Sequence, residues 1–326
     1  MKNVIVIGAA GFIGTNLVAK LIATKNYNII GIDNFSPYYD VEIKRDNVNS
    51  NLWCNLFECI NVDITDIQKL EEAFKYAAYE FKDGGIDAVV HLAAQPGVSH
   101  SIENEINVNN VNINGFANMV KFANKYNVKH FVYASSSSVL GDCGKPKSPY
   151  AVTKATNELQ ADVYSNLYNM KFTGLRFFTV YGERMRPDLA IAKFTKAILN
   201  DEEIHIYGDG NVMRDFTYVG DVTEAIKIVI ESDKKWKCSV FDVGRGETMS
   251  IISLIEIIKN LAGKIDYDKV IFEDAKKYDA KLTIADEFQM KEFFNFKCKT
   301  SLLEGLKKYI EWAKDKYCKQ IFTYER

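Results

Sequence analysis

The sequence predicts an α/β fold, a doubly wound parallel sheet with a smaller C-terminal α/β substrate lobe. Three observations carry this. Short β-branched runs alternate with longer amphipathic stretches through the first two thirds of the chain. A glycine-rich turn joins the first such run to the first such stretch. The 326 residues also exceed what one typical domain holds, since domains run to about 150 residues.

Taken in order, Val4-Ile5-Val6-Ile7 is apolar throughout, as a parallel strand covered on both faces must be. Residues 12–23 read as the first helix and 29–32 as the second strand. Further strands are expected at 57–62, 88–92 and 131–134. Helical periodicity falls at about 67–82, 106–126 and 150–168. After residues 173–180 the pattern changes. Short segments, a turn at Gly208-Asp209-Gly210 and helices at about 251–261 and 301–317 make up the lobe. No Pro/Ser-rich linker separates the parts, so the lobe is expected to pack closely, with the cleft as the ligand site.

Composition narrows the function. Lys and Arg number 41 against 43 Asp and Glu, a net charge of −2. That argues against a dedicated nucleic-acid surface, an acidic tail and a polybasic membrane anchor. No apolar run approaches the roughly 18 residues of a spanning helix, and no leader peptide is expected, because the first run is broken by Gly8. The six cysteines (Cys54, Cys59, Cys143, Cys238, Cys298, Cys318) form no C-x-x-C and have no His at ligand spacing. Free thiols, no metal and a reducing, cytoplasmic compartment are expected.

Gly8-Ala9-Ala10-Gly11-Phe12-Ile13-Gly14 follows the first strand and opens the first helix. The glycines allow a tight turn and close approach of a pyrophosphate, and the helix N-terminus offers free N–H groups. A glycine trio alone is a weak signal, and the G-x-x-G-x-x-G spacing departs from G-x-G-x-x-G. Its position between strand and helix gives it weight and makes the sheet Rossmann-type. Asp33 ends the second strand 19 residues after Gly14. An acid there accepts hydrogen bonds from the adenosine ribose and repels a 2′-phosphate, favouring NAD over NADP. Asp63, after the third strand, is a candidate for the adenine, with a solvated turn aspartate as the other reading.

Ser148-Pro149-Tyr150 precedes a helical run. Ser148 suits the N-cap and Pro149 the first helical position. Tyr150 and Lys154 then share one helical face. An ammonium beside a phenol is expected to lower its pKa from about 10 and make it a proton acceptor. Such a pair is common on surface helices; here it follows the fifth strand of a dinucleotide-binding pattern. Ser135-Ser136-Ser137-Ser138 ends that strand, where open α/β sheets bind ligands.

These marks, with His91-Leu92-Ala93-Ala94 and Arg214-Asp215-Phe216, resemble the extended short-chain dehydrogenase/reductases, and within them the nucleotide-sugar epimerases. Four segments are similar to UDP-glucuronate 4-epimerases: Asp33-Asn34-Phe35-Ser36-Pro37-Tyr38-Tyr39-Asp40, Ala94-Gln95-Pro96-Gly97-Val98, Leu175-Arg176-Phe177-Phe178-Thr179-Val180-Tyr181-Gly182 and Arg186-Pro187-Asp188-Leu189-Ala190. The resemblance covers essentially the whole chain.

It implies NAD-dependent 4-epimerisation of a UDP-sugar, UDP-glucuronate to UDP-galacturonate first, through a 4-keto intermediate. Tyr150, Lys154 and Ser136 stand at the catalytic positions. Gly8, Gly11, Phe12, Ile13, Gly14, Asp33, Asn34, Asp63, Ile64, Leu92, Ala93, Ala94 and Asn112 would hold NAD, with Tyr150 and Lys154 on the nicotinamide ribose. A 4-keto uronate is a β-keto acid that can lose carbon dioxide, so its carboxylate must be fixed. Thr179 and Arg186 match that role, with Ser137, Ser138 and Gln95 as further sugar contacts. Arg214 and Lys276 match diphosphate positions, Tyr207 the uracil site and Asp279 a ribose-binding acid. The resemblance also implies a homodimer through helices at 112–125 and 150–167. The cofactor unit is expected to take residues 1–176 and about 212–240, and the UDP-sugar lobe about 177–211 and 241–326.

Three features depart from the family. Tyr150 follows Ser136 by only 14 positions, a lysine stands at 276 where an arginine is usual, and Ser99-His100 replaces Arg-Tyr. UDP-glucose or UDP-N-acetylglucosamine 4-epimerase is the alternative, with a small Thr283 near the position that gates 2-substituents. Ser137-Ser138 in place of acidic residues weighs against a 4,6-dehydratase and a uronate decarboxylase. The intact Tyr/Lys pair weighs against a non-catalytic NAD sensor.

Overall fold

The computed structural model describes residues 1–318 except 142, 143, 277 and 279. In chain order the first part runs β1 (Lys2–Ile7), α1 (Phe12–Thr24), β2 (Tyr27–Asp33), α2 (Val41–Asn49), β3 (Phe57–Asn61), α3 (Ile67–Glu80) and β4 (Ala88–His91). Two short helices, α4 (Val98–Glu103) and α5 (Glu105–Asn109), lead through a π turn (Asn110–Asn114) into α6 (Gly115–Lys125). Then come β5 (His130–Ser136), α7 (Pro149–Leu167), β6 (Lys171–Phe177) and β7 (Thr179–Tyr181). The remainder is α8 (Ala190–Asn200), β8 (Ile204–Tyr207), β9 (Met213–Arg214), β10 (Phe216–Tyr218), α9 (Val219–Glu231), β11 (Cys238–Val243), β12 (Met249–Ser250), α10 (Ile251–Ala262), β13 (Val270–Glu273), β14 (Leu282–Thr283), α11 (Phe288–Phe294) and α12 (Leu302–Cys318).

Seven strands form one parallel sheet in the order β11-β6-β5-β4-β1-β2-β3. The order reverses at β1, so the carboxyl ends of β1 and β4 open a crevice between them. Val4, Ile5, Val6 and Ile7 are all fully buried, each contributing roughly 1.5–3 kcal/mol by leaving water. One face of the sheet packs against α1 and α9 through Leu17, Leu21, Ile226 and Val229, and the other against α3 and α6 through Leu70, Phe74, Phe116 and Val120. A third core joins α8, α10 and α12 around Ile198, Leu254, Ile258 and Ile310 and builds the lobe. No helix among the described residues is long and apolar enough to cross a membrane.

The expected strands and long helices fall where periodicity put them, with three physical differences. The stretch at 106–126 is two helices joined by the π turn, whose widened backbone coincides with buried Asn112. The run at 173–180 is divided: β6 ends in the main sheet and β7 leaves it to pair with β10, Thr179 opposite Phe216. Helices α2, α8 and α9 were not expected. Helix α2 is polar and is held by its cap, Asp40, which accepts from the Glu42 N–H at 2.9 Å. Helix α9 carries an apolar face that packs on α1, where Lys20 and Glu224 also pair at 2.7 Å. The returning strand β11 continues to Val243, slightly beyond residue 240.

Candidate active site

The crevice opens on a cavity of about 470 Å³. Its floor is the glycine turn. Gly8 has φ of +81°, and a Cβ there would lie 2.8 Å from the Ala93 nitrogen. A Cβ on Gly14 would lie 2.0 Å from the Gly8 carbonyl oxygen, so this glycine lets the helix seat on the turn. Gly11 differs: its Cβ would meet only the Gly8 oxygen, at 3.2 Å. Gly11 is also the N-cap of α1 with no side chain capping it, so the first N–H groups stay available to an anion. Phe12 and Ile13 complete this wall.

Asp33 ends β2 with its carboxylate nearly buried. It accepts from the Ala10 N–H at 3.0 Å and the Phe35 N–H at 2.8 Å, and burial pushes its carboxyl above the ordinary range against those bonds. Asn34, Ile64, Leu92, Ala93, Ala94 and Gln95 line the same cavity. Asp63 lies in an adjoining depression, where its carboxylate accepts from the Asn34 amide at 2.7 Å and from Thr65. An uncapped helix end, glycines leaving room for a ligand and a buried acid at the ribose position fit a dinucleotide such as NAD.

Helix α7 begins as the sequence predicts: the Ser148 hydroxyl accepts from the Ala151 N–H at 3.2 Å and Pro149 takes the first turn. This brings Tyr150 and Lys154 to the cavity beside Ser136, Ser137, Ser138, Thr179 and Arg186. Glu158, one turn on, receives the Arg176 guanidinium through Nε and Nη2, both at 2.8 Å, which fixes α7 against β6. Ser136 opposes the rise in the Tyr150 pKa and donates to Ser138 Oγ at 3.1 Å.

The expected lowering of the Tyr150 pKa by Lys154 is corrected. Burial raises the phenol, and the groups opposing that rise are Ser136 and the Arg186 guanidinium. Lys154 Nζ instead donates to the Ala134 carbonyl at 2.8 Å and lies 6.0 Å from the Tyr150 ring centre. Burial pulls this ammonium down to about 8, against the nearby Glu158 charge. His91 is no substitute base: burial pushes it down to about 3, and its ring packs on Phe116 and Phe131.

A second correction concerns Asn112. It does not line the cavity. Its Oδ1 accepts from the Gln95 N–H at 2.8 Å, and its Nδ2 donates to the Gln95 carbonyl at 3.1 Å and to Thr153 Oγ1 at 3.0 Å. It therefore ties the Gln95 loop to α7 from behind, with its amide protons already used.

Tyr207, Arg214 and Lys276 lie outside the cavity lining. Lys276 Nζ sits 3.9 Å from the centre of the Tyr207 ring, and Arg214 on β9 pairs its backbone with Met249 and Thr283. Asp279 lies outside the described residues. Sequence reading missed Lys44, a buried lysine in the cavity wall that donates to the Ser36 carbonyl at 2.7 Å. It also missed Tyr38 and Asp188, which accompany Arg186. In the short connection after Ser138, Gly141 is bridged to Lys145.

Residues 4–244 match the model of the NAD-dependent epimerase/dehydratase family. The chain belongs to that family. It is 34% identical to a UDP-glucuronate 4-epimerase of Thermodesulfobacterium geofontis, over 97% of each chain. Its fold matches a Bacillus cereus UDP-glucuronic acid 4-epimerase solved with UDP-glucuronic acid and NAD, with a TM-score of 0.87, 31% identity, and 97% of this chain and 100% of that one covered. It also matches a Thermotoga maritima UDP-glucose 4-epimerase solved with UDP-glucose, with a TM-score of 0.85, 32% identity and coverage of 96% and 99%. As a member of this NAD-dependent family, the chain has the doubly wound sheet and the glycine turn that its sequence announced.

Proposed function

We propose that the protein is an NAD-dependent 4-epimerase of UDP-sugars acting on UDP-glucuronate and UDP-galacturonate. One observation carries the substrate choice: Arg186 shares a cavity with Tyr150, Ser136, Ser137, Ser138 and Thr179. A cation and four hydroxyl-bearing side chains beside the proton acceptor suit a sugar that carries a carboxylate.

When bound, NAD supplies the hydride acceptor and donor. Tyr150 takes the proton of the sugar 4-hydroxyl, with the Ser136 hydroxyl relaying it. Arg186 holds charge beside the phenol and opposes the rise that burial imposes on it. Lys154 is placed to hold the nicotinamide ribose. Tyr150 keeps the proton while the sugar is in its 4-keto form and returns it after the sugar has presented its other face. Arg186, Thr179, Ser137 and Ser138 hold the carboxylate away from the alignment that cleaves C5–C6.

Arg214 and Lys276 are assigned to the diphosphate and Tyr207 to the uracil. This divides the chain into a cofactor unit of residues 1–176 and about 212–240 and a sugar-nucleotide lobe. Exposed Val152, Leu159, Val163 and Leu167 form an apolar stripe along α7, which supports a homodimer built on this helix. Free thiols at Cys54, Cys59, Cys238 and Cys298 support a cytoplasmic location.

A second reading, a 4-epimerase of UDP-glucose or UDP-N-acetylglucosamine, is favoured by Asp188, which already neutralises Arg186. Purified protein incubated separately with the three UDP-sugars and followed by proton NMR decides. UDP-galacturonate from UDP-glucuronate is expected; no 4-epimer from any of them, with NAD-loaded folded protein, would overturn the assignment. Arg186→Ala should reduce turnover of UDP-glucuronate at least about 10-fold more than that of UDP-glucose, as loss of a charge-assisted pair predicts.

A further inference from the structure

Arg186 stands in the loop between β7 and α8, and among the described residues its guanidinium is held on one edge. Nε donates to Asp188 Oδ1 at 2.9 Å and Nη2 donates to Asp188 Oδ2 at 2.8 Å. A guanidinium has five N–H groups in a rigid fork. Asp188 uses the two of the Nε side, so the Nη1–Nη2 edge is the one through which Arg186 can take a second carboxylate.

Asp188 is itself braced. The Tyr38 hydroxyl donates to Asp188 Oδ2 at 3.2 Å, and the Arg186 guanidinium carbon lies 5.4 Å from the centre of the Tyr38 ring. Tyr38 meets the His100 ring edge-on at 4.7 Å. Gly97 makes room for this: a Cβ there would lie 2.8 Å from the Tyr38 hydroxyl oxygen. A chain of contacts therefore runs from α4 through Tyr38 and Asp188 to Arg186. The two ends of that chain lie far apart in sequence and meet at the cavity wall.

We propose that Asp188, braced by Tyr38, is the positioning residue that sets which edge of Arg186 meets the sugar carboxylate and so decides the fate of a uronate substrate. This rests on the reading of the site as one that takes UDP-glucuronate. Two consequences separate positioning from simple charge. Asp188 lowers the net charge that Arg186 offers, so it weakens long-range attraction for an anionic sugar. What it supplies is orientation, and orientation acts on the bound 4-keto uronate. A carboxylate gripped on a fixed edge stays out of line with the C4 carbonyl. A loosely gripped one can align, and then C5–C6 breaks, carbon dioxide leaves and C5 takes a proton.

The test compares Asp188→Asn and Tyr38→Phe with wild type on UDP-glucuronate carrying a labelled C6 and on UDP-glucose. Asparagine keeps the size of the side chain and can accept only on one atom, so it breaks the paired grip. For Asp188→Asn the expected result is at least a 10-fold loss of kcat on UDP-glucuronate, KM within about threefold, labelled carbon dioxide with a UDP-4-keto-pentose (or the UDP-pentose formed when the reduced cofactor returns its hydride to C4), and UDP-glucose turnover within about twofold. Tyr38→Phe should move the same quantities in the same direction by less, and it guards against an Asp188 variant that fails to fold. Equal losses on both sugars, or a kcat loss with no carbon dioxide from either variant, would overturn the proposal. Wild-type inactivity on UDP-glucuronate would remove the substrate assignment and this proposal with it. Wild-type activity with unaltered variants would remove this proposal alone.

Discussion

Lys154 donates to the Ala134 carbonyl at 2.8 Å and stands 6.0 Å from the centre of the Tyr150 ring, which shares the cavity with Ser136. The two side chains four residues apart thus serve different partners. Lysine locks helix α7 to the end of β5, and tyrosine faces the cavity that Ser136 also lines.

Tyr150→Phe removes the proton acceptor and leaves that lock in place. Turnover should fall at least about 10³-fold, within the range of lost general-base catalysis. Bound NAD should stay, as released nucleotide measured after denaturing the protein would show. Loss of NAD together with activity would place Tyr150 in cofactor binding alone.

The buried ammonium has a signature in stability. Lys154 has a folded pKa of about 8, below its ordinary value of 10.5, chiefly through burial. The unfolded chain therefore binds more protons than the folded one between those values, and stability contributed at this site rises with pH across that window. Lys154→Met removes the group. In NAD-free protein, the unfolding free energy of this variant minus that of wild type, from urea titrations, should decrease as pH rises from 7.5 to 10, by about 1.4 kcal/mol per pH unit at most. A difference flat with pH would contradict the buried charge.

Glycines of one turn should fail in different ways. Gly14→Ala drives a Cβ against the Gly8 backbone, which cannot yield. It should cost about 3 kcal/mol or more in urea unfolding, at the upper end of overpacking effects. Gly11→Ala meets only one atom at 3.2 Å. It should keep most of the stability and lose NAD affinity, measured by calorimetry, because the added methyl faces the ligand.

Leu159 is 70% exposed at the middle of the α7 stripe. In sedimentation, wild type is expected at twice the 37.0 kDa chain mass, and Leu159→Glu at the mass of one chain. A wild-type monomer would remove the dimer from the reading.

Much of this was legible because it is local. The alternation of Val4-Ile5-Val6-Ile7 with an amphipathic helix, the glycines at the turn and the Ser148-Pro149 cap each express themselves within a few residues. The fine grip on Arg186 was not. Asp188 lies two residues on in a loop, where no periodicity marks it, and its brace Tyr38 is 150 positions away. Asn112 likewise works through Gln95, Thr153 and Asn157, at separations of 17, 41 and 45. Two-residue strands such as β9, β12 and β14 carry too few side chains to show a period of two. Lys44 reads as a surface helix lysine until β2 and the Ser36 loop fold around it.

Sheet order has a consequence for how the chain is made. Strand β6, Lys171–Phe177, is covered on one edge by β5 and on the other only by β11, Cys238–Val243. During synthesis the ribosome must deliver some sixty further residues before that second neighbour exists. Throughout that interval the nascent protein presents a seven-residue strand with unpaired N–H and C=O groups. The helix α9 that precedes β11 emerges first and covers the adjoining apolar face, but the edge of β6 stays open to pairing with a neighbouring nascent chain until β11 docks.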